Sequence, residues 1–296
     1  MARAAHNGRA PFARLISRYA DGVRRAAERV ARSPGPDNVH DLRVATRRLR
    51  AVLKAFRGQL DRRLYRELNF DLSSLTSATG PLRDADVRRR LLIQLISHAQ
   101  DVAPDVRRDC AVALEEARQD ARRELRLQMR AVLWRERMAR IRAAARDGGL
   151  VVMLPQPLLQ FVALFLRGQL RELRRRMGRR RLDPRRLHRL RVRIRNVRYV
   201  VEGLLPLVHA RSEPLAKSLR WLQDRLGLAH DLTEAQRFLS EGPFPGTVGA
   251  TLARSLDART ARQLRDCRRA LRTFARDPPA AWRPWLKGDA RVRSVR

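Results

Sequence analysis

The chain is 296 residues long, 44% apolar, and carries a formal net charge of +36 at pH 7. That apolar share supplies a core for one large domain or two halves, and the charge favours polyanionic partners: nucleic acid, polyphosphate or an anionic membrane surface. Its two cysteines, Cys110 and Cys267, stand apart with no CxxC motif, which excludes a disulfide framework and suits a reducing cytosol.

Nearly every segment reads as helix, and strand-like alternation is absent. A first helix is expected from about Pro11 to Arg32, ended by Ser33-Pro34-Gly35-Pro36, with Asp37 placed to cap the next. A second helix runs to about Arg57 and a third from Asp61 to Thr79. Gly80-Pro81 breaks the chain before a fourth that reaches His98. After Pro104 neither Gly nor Pro occurs up to Arg146, so one very long helix or two abutting ones are expected. Asp147-Gly148-Gly149 closes this half.

The second half repeats the order. A helix covers about Pro157 to Met177, and Asp183-Pro184 supplies a cap and a first-turn proline for the next. Pro214 to Gly227 matches the third helix of the first half, and His230-Asp231 opens the fourth. Gly242 to Gly246 is a loop, and a long helix follows from Val248 to Arg276. The tail from Pro278 to Arg296 is basic, with Trp282 and Trp285 placed to dock on the core. The division expected is thus 1–149, 150–277 and a basic tail, 278–296. The apolar stretch Leu150 to Leu166 is interrupted by Pro155, Gln156, Pro157 and Gln160, so membrane insertion is not expected. No apolar h-region follows the basic N-terminus, so no signal peptide is expected.

The most informative pattern occurs twice. His40, Arg43, Arg47 and Arg50 fall at relative positions 0, 3, 7 and 10, and so do His188, Arg191, Arg195 and Arg198. On a helix these four side chains lie within a stripe roughly 80° wide. Leu42, Ala45, Leu49, Val52, Leu53 and Phe56 take the far side of the first helix, and Leu190, Val197, Val200, Val201 and Leu204 that of the second. One face therefore packs while the other lines a surface or cavity. Like charges this close repel one another, so the arrangement calls for an anion. Lys54 extends the first stripe, whereas its counterpart Glu202 does not extend the second. The basic residues are nearly all arginine, the lysines being Lys54, Lys217 and Lys287. Codon bias can account for that preference but not for the placement, and a guanidinium fork suits two phosphate oxygens at once.

The duplication continues beyond these helices: Gly80-Pro81-Leu82-Arg83-Asp84 corresponds to Gly227-Leu228-Ala229-His230-Asp231. His-x-x-Arg followed by Arg-x-x-Arg, then Gly80, Arg83, Asp84 and Asp86, resembles the CHAD domain (conserved histidine α-helical domain) family. In the second half the match is carried by His188, Leu190, Arg191, Arg195, Arg198, Tyr199 and Glu202, then Leu222, Gln223, Asp224, Leu226, Gly227 and Asp231. The likeness covers roughly 10 to 276. It implies an all-α fold of two similar four-helix bundle halves with long helices, which a pseudo-two-fold axis would relate. It also implies binding of inorganic polyphosphate in a basic central channel and, in some bacterial members, residence on polyphosphate granules, hence a cytoplasmic location. Asn196 departs from the pattern by replacing the second arginine of a doublet, and His230 stands where the first half has Arg83. The Glu-x-Glu-x-Lys signature of the triphosphatase domain that precedes this one in other members is lacking, so that activity is not carried over.

The polyphosphate-binding residues expected are His40, Arg43, Arg47, Arg50, Lys54 and Arg83, with His188, Arg191, Arg195, Arg198, Lys217 and His230. A metal at His40 or His188 is not expected, because the surrounding arginines repel a cation. Asp84, Asp86 and Asp231 are read as carboxylates that compensate helix starts or hold neighbouring arginines. No phosphate-cradling Gly-rich loop or activated nucleophile is apparent, so the protein is expected to be non-catalytic and without a cofactor. Binding of a nucleic-acid backbone is the runner-up, disfavoured by the lack of spaced aromatic platforms in a chain with 5% aromatics. An enzyme acting on phosphate chains stands third.

Overall fold

The computed structural model describes residues 2–98, 104–130, 132–146, 158–179, 182–204, 212–241 and 246–287. Its helices are α1 (Ala2–Arg32), α2 (Pro36–Ala55), α3 (Arg62–Ala78), α4 (Gly80–His98), α5 (Pro104–Arg130), α6 (Val132–Arg146), α7 (Leu158–Met177), α8 (Pro184–Leu204), α9 (Ser212–Glu241), α10 (Gly246–Arg276) and the short α11 (Arg283–Lys287), which a 3-10 turn, Ala280–Trp282, precedes. The fold is all-α, and no strand occurs among the described residues. The expected boundary at 149/150 and the last tail residues, 288–296, lie outside the described residues, as does most of the 242–246 loop.

Helix ends follow local chemistry. Asp61 caps α3 by accepting the Leu64 amide at 2.8 Å, and Asp183 caps α8 by accepting that of Arg186 at 2.8 Å, ahead of Pro184. At α2 the expectation fails. Gly35 takes the cap position, Pro36 starts the helix with its fixed φ, and Asp37 sits in the first turn without a capping bond, where it can only offset the dipole. Helix α1 also begins earlier than expected, so that Pro11 lies inside it.

The largest departure is α9. The third and fourth helices expected in the second half are one continuous helix of 30 residues. In the first half, Thr79 separates α3 from α4 just before Gly80-Pro81. Proline removes an N–H and clashes with the preceding turn, whereas a lone glycine costs a helix only about 1 kcal/mol. Gly227 has no proline beside it, and the helix passes through. Asp231 therefore sits in mid-helix, not at a helix start.

Helices α1, α3 and α8 pack on α2, while α6 packs on α1 and α3; α9 lies along α8 and α10, and α7 along α8, α10 and α11. The N- and C-terminal runs of helices meet where α2 crosses α8 and where α4 touches α9. The first contact is close. A Cβ on Gly203 would lie 2.7 Å from Val52 Cγ2, and the Tyr19 hydroxyl donates to the Gly203 carbonyl at 2.6 Å. One apolar cluster joins both runs through residues such as Phe12, Leu49, Phe56, Leu190, Ile194 and Leu219. A smaller one, with Leu92, Leu114, Leu232, Leu239 and Leu256, holds α4, α5, α9 and α10 together. Both expected tryptophans are buried, and Trp282 Nε1 donates to Ser218 Oγ at 2.7 Å. Cys110 and Cys267 are free and buried.

Candidate anion-binding site

A cavity of about 1070 Å³ opens between α2, α4, α8 and α9. Val44 and Tyr199 on its wall belong to the larger apolar cluster, while Leu91 and Phe238 pack on the smaller one, so the cavity lies between the two. Helix α2 contributes His40, Arg43 and Arg47, and α8 contributes Arg191, Arg195 and Arg198. The basic stripes of the two helices thus face one space. Helix α4 adds Arg83, Asp84 and Arg88. Helix α9 adds Arg220, Gln223, Asp224, His230, Asp231, Glu234 and Arg237. Nine arginines stand against four carboxylates, so the lining is strongly cationic even with both imidazoles neutral.

The guanidiniums feel one another. Burial, then the charge on Arg47, pushes the Arg43 pKa down to about 10, and burial followed by Arg47 and Arg191 does the same to Arg195. Burial also lowers Arg191, with Asp231 opposing and Arg47 adding to the effect. All of them keep their protons at neutral pH, and the depression records the mutual repulsion of partly desolvated cations. Arg43 is aimed by the end of α3, since its Nη1 donates to the Thr76 carbonyl at 2.7 Å and to Thr79 Oγ1 at 3.2 Å. Arg195 keeps a buried Nε that finds no acceptor among the described residues.

The imidazoles and Asp231 respond to the same field. Partial burial and Arg83 hold His40 below the usual histidine range. Burial, then Arg191 and His188, drives His230 down to about 4. Burial raises the pKa of Asp231, against the pull of Arg191 and Arg83.

Arg198 lines the cavity differently. It is buried, its Nε donates to Gln223 Oε1 at 2.8 Å, its Nη1 reaches Glu202 Oε1 at 2.6 Å, and its guanidinium lies 4.4 Å over the Tyr199 ring. Glu202 also receives Arg220 at 2.9 Å and Arg48 at 3.4 Å. Arg198 and Arg220 thus meet a carboxylate behind the wall. Asp86 is turned away from the cavity and accepts from Arg118 of α5 at 2.8 Å, the arginine-holding role expected of these carboxylates; Asp84 and Asp231 line the cavity instead.

Of the twelve residues expected at the site, eight line this cavity: His40, Arg43, Arg47, Arg83, Arg191, Arg195, Arg198 and His230. The other four do not. Arg50 donates its Nε to Asn69 Oδ1 of α3 at 3.1 Å, and Lys54 is exposed. They sit about 4.5 and 10 Å further along the helix axis than Arg47, so the stripe outruns the cavity. His188 is exposed, although its ring lies 5.3 Å from that of His230. Lys217 points to Glu213 at 3.2 Å on an exposed face. Arg88, Arg220, Arg237, Asp224 and Glu234 line the cavity without having been expected there. The α9 members share a regular three–four spacing from Arg220 to Arg237, a signal that an assumed break near Gly227 conceals. Among the described residues no group of three or more His, Cys, Asp or Glu could hold a metal ion.

A family model described as the CHAD domain matches residues 14–240. The chain belongs to the CHAD domain family. In fold it is similar to the CHAD domain from the plant Ricinus communis, at 22% identity over 97% of this chain and 92% of that one, with a TM-score of 0.63. It is also similar to PptA from Streptomyces chartreusis, at 18% identity over 93% of this chain and 99% of that one, with a TM-score of 0.68. At these identities the likeness speaks for the CHAD fold alone. Among curated proteins none matches the sequence.

Proposed function

We propose that this CHAD domain binds inorganic polyphosphate in the α2–α8 cavity without acting on it chemically. The observation that carries the reading is the convergence of Arg43, Arg47, Arg191 and Arg195, four partly buried guanidiniums from two helices on the wall of one cavity. Such a cluster lacks a reason to persist unless an anion relieves it. A chain of closely spaced phosphates does so along its length, with bidentate contacts to the forks and release of its condensed counterions. The volume and the four-sided lining suit a flexible strand better than a duplex. The phenol and phenyl rings on the cavity wall, Tyr199 and Phe238, each already carry a guanidinium, Arg198 at 4.4 Å and Arg88 at 4.5 Å, which leaves little of them for base stacking. A cytoplasmic location, on polyphosphate granules, belongs to the same proposal. No described helix is long and apolar enough to cross a membrane.

Competition tests the choice of polyanion. Long-chain polyphosphate should strip the protein from labelled DNA or RNA, while an equal excess of nucleic acid phosphate should leave a preformed polyphosphate complex intact. Equal mutual displacement would transfer the assignment to nucleic acid. Phosphate release on incubation with Mg²⁺ or Mn²⁺ would make the protein an enzyme.

A further inference from the structure

The two histidines that open the basic stripes have different neighbours. His40 of α2 feels Arg83 of α4, a guanidinium that stays charged at every physiological pH. His188 of α8 has a second imidazole instead, since His230 of α9 lies with its ring centroid 5.3 Å away and its plane inclined by 55°. His230 lines the cavity, and His188 stands exposed beside it. Where the first half of the sequence pattern carries a fixed charge, the second carries one that protons control.

We propose that the His188–His230 pair is a proton-linked subsite for one phosphoryl group of the bound polyanion. The inference rests on the cavity being a polyphosphate site and adds how that site is regulated. Two imidazoles this close repel each other when both are charged, and an anion reaching both removes that penalty. The groups around His230 set the direction. Helix α8 presents His188, Arg191 and Arg195; α4 presents Asp84, with Arg83 acting on the adjacent Asp231; α9 itself adds Asp231 and Glu234. Helix α10 meets α9 through Leu252 and Leu256 and through Asp257, which accepts from Gln236; the charges acting on His230 come from α8 and α4. Burial and Arg191 keep His230 neutral at pH 7. A phosphate beside it reverses the sign of the local field and favours the imidazolium. The complex then holds more protons than its free components, so affinity rises as pH falls, by up to about tenfold per pH unit for each linked proton.

Calorimetry of the full chain with long-chain polyphosphate tests this, at about pH 6 and about pH 8 and in buffers of different ionisation enthalpy. The expected result is uptake of about one proton at the lower pH, falling away toward the higher, and an affinity roughly tenfold higher at the lower pH. His230→Arg should restore the fixed charge, bind more tightly than the wild type at the higher pH, and lose most of the proton uptake. His230→Gln should lose the uptake too, at lower affinity, with far-UV circular dichroism confirming that both variants fold. Binding without proton uptake, or uptake unchanged in both variants, overturns the subsite and leaves the cavity reading standing. Absence of binding at either pH overturns both.

Discussion

Glu202 shows how a single residue sorts the arginines of this protein into two kinds. Its side chain is 7% exposed and receives guanidinium groups from α2, α8 and α9. Burial alone would raise its pKa, but the hydrogen bond from Arg220 and the charge of Arg198 outweigh that and hold it below the usual carboxylate range. A depressed carboxyl contributes stability that is present above its unfolded value and lost as pH falls through the folded one. Arg198 and Arg220 are therefore partly matched by a buried carboxylate, whereas Arg43, Arg47, Arg191 and Arg195 face the cavity with far less compensation. Glu202→Gln should destabilise the fold by about 3 kcal/mol or more, because it strands a buried Arg198. Urea denaturation at neutral pH measures the loss. The difference between variant and parent should shrink as the pH falls through the depressed pKa of the parent's carboxyl, where that group takes up a proton.

Helix α9 is the element on which the cavity most depends, and it is the one the sequence disguises. Gly227-x-x-His230-Asp231 aligns with Gly80-x-x-Arg83-Asp84 and suggests a second chain break. The proline that makes the break at Gly80-Pro81 is missing at Gly227, so the helix runs on and carries Arg220, Asp224, His230 and Arg237 along one wall. A Cβ at Gly227 would have no atom within 4 Å. Gly227→Ala should thus raise stability by about 0.5–1 kcal/mol, read as a higher denaturation midpoint; a loss would mean that the chain turns there. The basic stripes were legible because a helix repeats every three to four residues and both stripes obey that period. Their limits were not, since nothing in the spacing of His40, Arg43, Arg47, Arg50 and Lys54 tells where the cavity ends. The pairing of Glu202 with Arg48 and Arg220 was equally hidden, as was that of Asp71 with Arg140 at 2.8 Å. Both join residues that only tertiary packing brings together.

At the scale of the whole molecule, a +36 chain folds by packing apolar stripes and turning part of its repulsion inward to a place where an anion can cancel it. Gly203 lets α2 and α8 approach, and that approach brings the two stripes onto one cavity. A protein so basic will attract any polyanion to some degree, so the account stands on place rather than on total charge. The direct measurement compares two charge-matched quadruple variants for polyphosphate affinity at a fixed salt concentration. One replaces the cavity residues Arg43, Arg47, Arg191 and Arg195 by alanine. The other replaces Arg62, Arg66, Arg126 and Arg259, all exposed and none lining the cavity. The account predicts that the first loses binding with its helicity intact, while the second stays within a few-fold of the parent. Equal losses in the two would contradict it and return binding to the surface as a whole.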